Sequence, residues 1–328
     1  MRIFSVTAVF SVLFVAVAAV YFSLTPPAGH DLPEKMKNNF NMKLLKLEEG
    51  DEIRQIEIVS NEKNEKIVLA REDKGWQIQY PVPYPADTLL SQGLETALRL
   101  SNKDRRLMPE KDWDEYGLKM PSMRIGIKTL RGKDARYLDF GAPSAIGDFI
   151  FARWEDEPEY FLLNADLKRA FTQTLYALRN KQVFRNDLAE AVKIHLKTSD
   201  GEFEIVRKDG NWLWSAPLAA AGRRVAPERA EEVLAQLGGI YIKDFLDNEK
   251  RPAPALGISD KSPVIQVWAQ GETPETLRFG NELAERDSYY GLRDGENVFF
   301  LMARGNVRGL FEAVETLAHM KEEPLRKP

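Results

Sequence analysis

Cysteine is absent from all 328 residues, so disulfides, thiol nucleophiles, thiolate zinc sites and a lipidated N-terminal cysteine are excluded. Histidine occurs three times, at His30, His195 and His319, too sparse for a multi-histidine metal centre. Neither sign of charge prevails: 46 basic against 50 acidic side chains leave a formal net charge of −4. That lacks the basic footprint of phosphate-backbone binding, so nucleic acid is excluded as a partner. There is no Walker A string, no G-x-S-x-G, no H-E-x-x-H and no dinucleotide-binding G-x-G-x-x-G. No catalytic, cofactor-binding or metal-binding residue is assigned from the sequence, and no cofactor is expected. What is present is globular, 44% hydrophobic and 29% charged, and long enough for about two domains.

Ile3 to Leu24 form an uncharged run interrupted only by Ser5, Thr7, Ser11 and Ser23. As a helix this run spans about 33 Å, enough for a hydrocarbon core of roughly 30 Å. Arg2 precedes it while Asp31 and Glu34 follow, which places the N-terminus in the cytoplasm and exports the rest. Ala16-Val17-Ala18 resembles a signal-peptidase site, but the apolar run continues through Val20-Tyr21-Phe22 and favours a retained anchor. The absence of cysteine suits an oxidising compartment. The expected location is therefore a bacterial inner membrane, crossed once, with the bulk in the periplasm. Thr25 to Asn41, with Pro26, Pro27, Gly29 and Pro33, is expected to be a tether.

The remainder repeats itself. Gly75-Trp76 and Pro81 recur as Asn211-Trp212 and Pro217, Phe140-Gly141 as Phe279-Gly280, Asp156 as Asp294 and Phe151 as Tyr289. Leu167, Phe171 and Ala177 recur as Val307, Phe311 and Leu317. An ordered series at nearly constant offset indicates duplication. Each copy opens with alternating strands, Ile56-Glu57-Ile58 and Val192 to Leu196, then a second strand (Lys66 to Arg71; Glu202 to Arg207) and a third on its tryptophan. A helix follows, capped by Asp87 with a stripe of Leu89, Leu90, Leu94, Ala97 and Leu98; its counterpart opens at Pro227 and carries Ala230, Val233, Leu234 and Leu237. Four short strands come next, in the first copy Met123 to Thr129, Tyr137 to Phe140, Phe149 to Arg153 and Tyr160 to Leu163. A closing helix ends each copy, the last with Val307, Leu310, Phe311, Val314 and Leu317 on one face. The pattern predicts an α+β fold: two tandem repeats of a mainly antiparallel sheet with two helices each, preceded by one transmembrane helix. The expected divisions are 1–24 anchor, 25–41 tether, 42–185 first repeat, 186–322 second repeat and 323–328 tail.

Gly75-Trp76, Pro85-Ala86-Asp87 opening a leucine-rich helix, Tyr116-Gly117-Leu118 with Pro121, and Phe140-Gly141 together resemble domain of unknown function 4340. The second copy keeps Trp212 but has Ala226-Pro227 for Ala-Asp and Leu256-Gly257-Ile258 ahead of Pro263. The resemblance covers about residues 45 to 320. It carries over no catalytic residue. It implies a membrane-anchored bacterial protein associated with ABC transporters of the gliding-motility type and their auxiliary subunits.

Individual residues favour structural roles. Trp76 and Trp212, equivalent in the two copies, are expected in the core rather than stacked on a sugar or peptide. Tyr80-Pro81-Val82-Pro83-Tyr84-Pro85 is expected to be a stiff connection rather than a partner-binding loop. His195, between Lys193 and Lys197 on its strand face, is expected to be solvated, and His319 to sit near a helix end. The acidic run Glu155 to Glu159 is expected to be a solvated hairpin rather than a calcium loop. Ser60-Asn61-Glu62-Lys63 matches S-x-x-K, but its serine ends a strand instead of heading a helix.

These features point to a non-catalytic periplasmic accessory or scaffold subunit of an ABC-type membrane complex, with permease, ATPase or an auxiliary subunit as partners. The alternatives are a periplasmic module binding glycan, peptide or lipid in a cleft between the copies, and a carboxylate-dependent cell-wall hydrolase. The last requires two acidic groups about 5–10 Å apart, one with a raised pKa.

Overall fold

The computed structural model describes residues 42–107, 113–145, 147–199 and 201–319. The anchor at 1–24, the tether at 25–41 and the tail at 323–328 lie outside the described residues. Among the described residues no helix is long and apolar enough to cross a membrane.

The described chain is α+β, with two antiparallel sheets. In the first part of the chain come β1 (Ile53–Ser60), β2 (Glu65–Glu72), β3 (Gly75–Tyr80), β4 (Tyr84–Pro85), α1 (Thr88–Leu100), β5 (Arg105–Leu107), β6 (Met123–Thr129), β7 (Arg136–Pro143), β8 (Phe149–Trp154), β9 (Tyr160–Asn164), α2 (Ala165–Phe171) and α3 (Leu175–Leu178). The second part holds β10 (Ala191–Lys197), β11 (Glu202–Lys208), β12 (Asn211–Ala216), α4 (Pro227–Gly238), β13 (Ile242–Phe245), β14 (Val264–Ala269), β15 (Glu275–Leu283), β16 (Ser288–Arg293), β17 (Phe300–Ala303) and α5 (Arg304–His319). Sheet orders are β4-β3-β2-β1-β6-β7-β8-β9-β5 and β12-β11-β10-β14-β15-β16-β17-β13. Apart from β4 the two orders are the same, strand for strand. Contacts group the described chain into two compact units, one formed by the residues up to Gly75 with Leu89–Gln173, the other by Trp76–Thr88 with the residues from Thr174 on.

The duplication extends to irregularities. β1 and β6 slip register between Ile53 and Gln55, and β10 and β14 slip between Ala191 and Lys193. β7 and β8 slip between Phe140 and Pro143, and β15 and β16 between Phe279 and Glu282. A bulge unpairs one residue and bends its strand, so matching bulges give both sheets the same bend. Hydrogen-bond register also corrects two sequence pairings by one residue. Phe151 faces Leu162 as Tyr290, not Tyr289, faces Leu301. Glu155 N donates to Tyr137 O as Asp294 N donates to Thr276 O, so Asp294 corresponds to Glu155, not Asp156. Similar side chains stood one place off the true register, and backbone pairing decides between them.

The bulges explain the short glycine motifs. Gly117 and Gly257 end one-turn helices with φ of 67° and 78°, a conformation that side chains with a Cβ resist. Gly141 and Gly280, at the bulges, lie under those turns: a Cβ on Gly141 would run into the carbonyl oxygen of Tyr116, and one on Gly280 into that of Leu256. Each motif pair therefore pins a turn onto a central strand.

Cores follow the alternating strands. Ile56, Leu69, Ile125, Leu138, Phe140 and Phe161 are buried in the first unit, and Ile194, Ile205, Ile265, Leu277, Phe279 and Phe300 in the second. Each contributes about 1.5–3 kcal/mol by leaving water. Trp76 and Trp212 are buried, as the duplication required. α4 buries Ala230, Val233 and Leu237, and α5 buries Val307, Leu310, Val314 and Leu317, with Phe311 half-buried.

Three expectations need correction. α1 buries Ser91, Leu94, Glu95 and Leu98, while Leu89 is 82% exposed, because the buried face is rotated from the leucine-rich one. Glu95 tolerates that position because Arg71 and Arg99 bond both its oxygens. The closing helix of the first repeat is broken: α2 ends at Phe171, and Thr174 caps α3 by accepting from Ala177 N at 3.1 Å. Ala177 therefore belongs to a separate turn; threonines compete for backbone donors and divide helices in this way. The strands β4, β5 and β13, four residues or fewer, escaped the sequence pattern altogether.

Replacing Gly141 or Gly280 by alanine is expected to cost about 1–3 kcal/mol, since a backbone oxygen cannot move aside cheaply. Gly93→Ala on α1, where a Cβ meets nothing, is expected to stabilise by about 0.5–1 kcal/mol. Urea unfolding of the three variants checks both signs.

Candidate functional site

Two clusters of ionisable and aromatic side chains stand out, one in each unit. In the first unit, the segment before β1, the start of β7 and the β8–β9 turn surround an open groove of about 340 Å³. Lys43, Lys46, Lys103, Arg136, Glu157 and Glu159 line it, over Leu44. Lys103 follows α1 and is nearly buried; its ammonium bonds Glu157 at 3.0 Å and stands 4.3 Å above the Phe161 ring. Arg136 forks onto Asp156 with two bonds of 2.8 Å, reaches Glu157 at 3.0 Å, and stacks 4.5 Å from the Trp154 ring.

The acidic run is thus a hairpin turn with Glu155 and Asp156 exposed, as expected, and cations from three other segments, Lys103, Arg124 and Arg136, pair with it. Arg136 keeps the Asp156 carboxyl below the usual range. Burial alone would raise Glu157, but Lys103 and Arg136 outweigh it and hold that carboxyl low as well. Among the described residues no group of histidines and carboxylates could hold a metal ion.

In the second unit, Tyr84 is buried against Phe245 at 5.0 Å, with the Arg185 guanidinium 4.8 Å from its ring. Tyr84 is fixed because the chain around it is tied to α3: Ala86 bridges Arg179, Asp87 N donates to Leu178 O, and Asn180 N donates to Pro85 O. The connection from Tyr80 to Pro85 is accordingly more than a stiff link; Tyr80 is half exposed while Tyr84 is an anchor. Arg179 is 1% exposed, bonds Asp247 at 2.8 Å and lies 4.6 Å from the Phe245 ring. Its Nε and Nη2 have no hydrogen-bond partner among the described residues, so aromatic faces take that place. Arg185 and Arg293 both bond Glu296, and Glu275 accepts the backbone N–H groups of Arg185 and Asn186 at 2.9 Å while also binding Arg293.

Burial pushes the Tyr84 hydroxyl up to about 12, with the Glu296 charge adding to burial and Arg185 and Arg293 opposing it. Elsewhere, Arg251 holds Glu249, and Arg304 with Tyr289 holds Glu282, at about 2. Every described carboxylate whose pKa departs from its ordinary value departs downward, including Asp51, Asp148 and Glu204. Such groups accept charge-assisted hydrogen bonds but are poor proton donors near neutral pH.

The remaining sequence candidates fall outside both clusters. His195 is more enclosed than expected, its ring nitrogens meeting Gln266 at 3.2 Å and Glu202 at 2.8 Å across neighbouring strands. Ser60 ends β1 and accepts the Lys63 backbone N–H, without a helix behind it. Nothing in the sequence signalled the Tyr84 cluster beyond its arginines and tyrosine, which come from stretches about 100 residues apart.

Above pH 10 the folded state is expected to lose stability as pH rises toward about 12, because folded Tyr84 holds its proton more tightly than the unfolded chain. The loss is on the order of 3 kcal/mol. Tyr84→Phe should abolish that component while staying within about 1 kcal/mol of the parent at pH 8, since the buried hydroxyl makes no well-formed hydrogen bond. Tyr84→Ala should cost about 3–5 kcal/mol. Denaturant titrations at pH 8 and pH 11 separate the three. At the other end of the scale, Asp156 and Glu157 contribute stability above the carboxylate range that is lost as pH falls through their depressed values. Arg136→Met should therefore raise the midpoint of acid unfolding, by an exposed-pair contribution of about 1 kcal/mol or less.

A family model described as domain of unknown function (DUF4340) matches residues 76–261, from β3 of the first repeat to the turn before β14 of the second. No curated protein and no solved structure matches the chain.

Proposed function

The chain belongs to the DUF4340 family, and from that premise we propose that it is a non-catalytic accessory or scaffold subunit of an ABC-type complex in a bacterial inner membrane. On this proposal Ile3 to Leu24 are a single retained transmembrane anchor, and both α+β units are periplasmic. Their partners are a permease, an ATPase or a further auxiliary subunit of the gliding-motility type. The observation that carries the reading is the state of the ionisable groups. Both clusters are built from arginines and lysines clamped onto carboxylates, and the shifted carboxylates, Asp156 and Glu157 in the first cluster and Glu249 and Glu282 outside both, are depressed. Glycoside hydrolysis by paired carboxylates needs the opposite, one acid with a raised pKa. Clamped charge rigidifies a surface and recognises a partner's charge, which favours binding over proton transfer. The anchor and the partner class come from sequence and family resemblance, an associational warrant.

Tagged full-length protein from gently solubilised membranes, compared with a form lacking residues 1–24 and exported by a cleavable signal, tests this. An ABC permease and ATPase are expected to co-purify with both forms, placing the contact on the periplasmic units. Recovery of no partner by either form across several detergents would overturn the complex.

A further inference from the structure

The open groove of the first unit and the tyrosine pocket of the second occupy the same place in the common fold. Lys103 N donates to Met42 O as Ile242 N donates to Lys181 O, and the bridge from Lys43 to Asn102 is matched by that from Gln182 to Tyr241. The β8–β9 and β16–β17 turns close alike, with Glu157 N on Trp154 O and Glu296 N on Arg293 O. One offset of 139 thus carries Leu44 onto Val183, Lys46 onto Arg185, Arg136 onto Glu275 and Glu157 onto Glu296. In the second unit this place is filled: Tyr84 lies in the core with Val183, under the Arg185 guanidinium. In the first unit no tyrosine among the described residues fills it, and it stands open at about 340 Å³, within the size range of ligand pockets.

We infer that the first unit's groove is a docking site for a partner protein, which enters it with an extended, proline-flanked tyrosine as Tyr84 enters the second unit. Lys46 is placed to cover the ring as Arg185 covers Tyr84. It is exposed and makes no ion pair among the described residues, so its charge is available. Charge further specifies the occupant. The second unit's pocket sets Arg185 and Arg293 against Glu275 and Glu296, a balance that suits a neutral phenol. The first unit's groove sets Lys43, Lys46, Lys103 and Arg136 against Glu157, Glu159 and the Asp156 that Arg136 forks onto, an excess of one positive charge. That excess favours acidic residues beside the tyrosine, as Asp87 stands close after Tyr84 in this chain. Main-chain extension with a proline on either side lowers the ordering cost for such a segment.

This inference rests on the proposed accessory role and locates its contact. The probe is a fluorescein-labelled peptide with the sequence of Gln79–Asp87, titrated by anisotropy with the full-length protein in detergent. Saturable binding is expected, weakened about tenfold by alanine at the peptide's Tyr84 position and about as much by Lys46→Glu in the protein. An unchanged melting temperature verifies that Lys46→Glu leaves the fold intact. Absence of saturable binding would overturn the inference, as would equal binding of the alanine peptide. Binding that survives Lys46→Glu would mean exchange at the second unit, and also overturns it. Saturation by inorganic phosphate without peptide binding would replace it with a small-anion site. The peptide assay needs no membrane partner, so its failure leaves a co-purified complex standing, and failure to co-purify leaves peptide binding standing.

Discussion

A carbonyl oxygen pressed onto a strand glycine recurs at the centre of each unit, Tyr116 over Gly141 and Leu256 over Gly280. Backbone can come this close only where no Cβ intervenes, so both partners of the contact are fixed by sterics rather than by attraction. The contact sits at a bulge, and the bulge sets the bend of the central strands and the direction in which their ends leave the sheet. Arg136 and Glu275 stand at the opposite ends of β7 and β15 from these bulges, held by regular pairing with Ile127 and Val267.

The two units share a backbone and differ in how they handle charge. The second takes arginine into its interior: Arg179 is nearly inaccessible, with one carboxylate partner and aromatic faces around it. A buried guanidinium is costly unless paired, and Asp247 with Phe245 and Tyr84 offsets that cost at a fixed geometry. The first unit has different charges beside its open groove, where a nearly buried Lys103 and a partly exposed Arg136 clamp the acidic turn. Duplication thus preserved a frame in which one copy closes the site with Tyr84, while in the other the place is an open groove among the described residues.

Elements with strong periodicity were legible without coordinates. The sequence pattern identified β6, β10 and β11 to within one residue at each end and found the middle of β1, and the paired tryptophans read correctly as core because equivalent positions in a duplicated frame face the same way. α4 and α5 showed their buried faces plainly. Leu89 misled because leucine is apolar wherever it falls, whereas the buried face of α1 accepts Ser91 and a doubly bonded Glu95. The off-by-one pairings had a similar origin: side-chain likeness is a weaker constraint than a ladder of backbone hydrogen bonds. β4, β5 and β13 were too short to carry any period.

Sequence alone determined the antiparallel α+β class, the duplication and its tandem order, and the exclusion of thiol and multi-histidine chemistry, because these follow from local alternation, spacing and composition. Tertiary structure decided that the Glu155–Glu159 run is clamped by cations, that Tyr84 is an anchor and not a linker residue, and that Lys46 and Arg185 hold matching posts. These are convergences of residues from distant stretches, held together by strand register and bulges. Periodicity along the chain reports which face a residue shows, not which residues meet there.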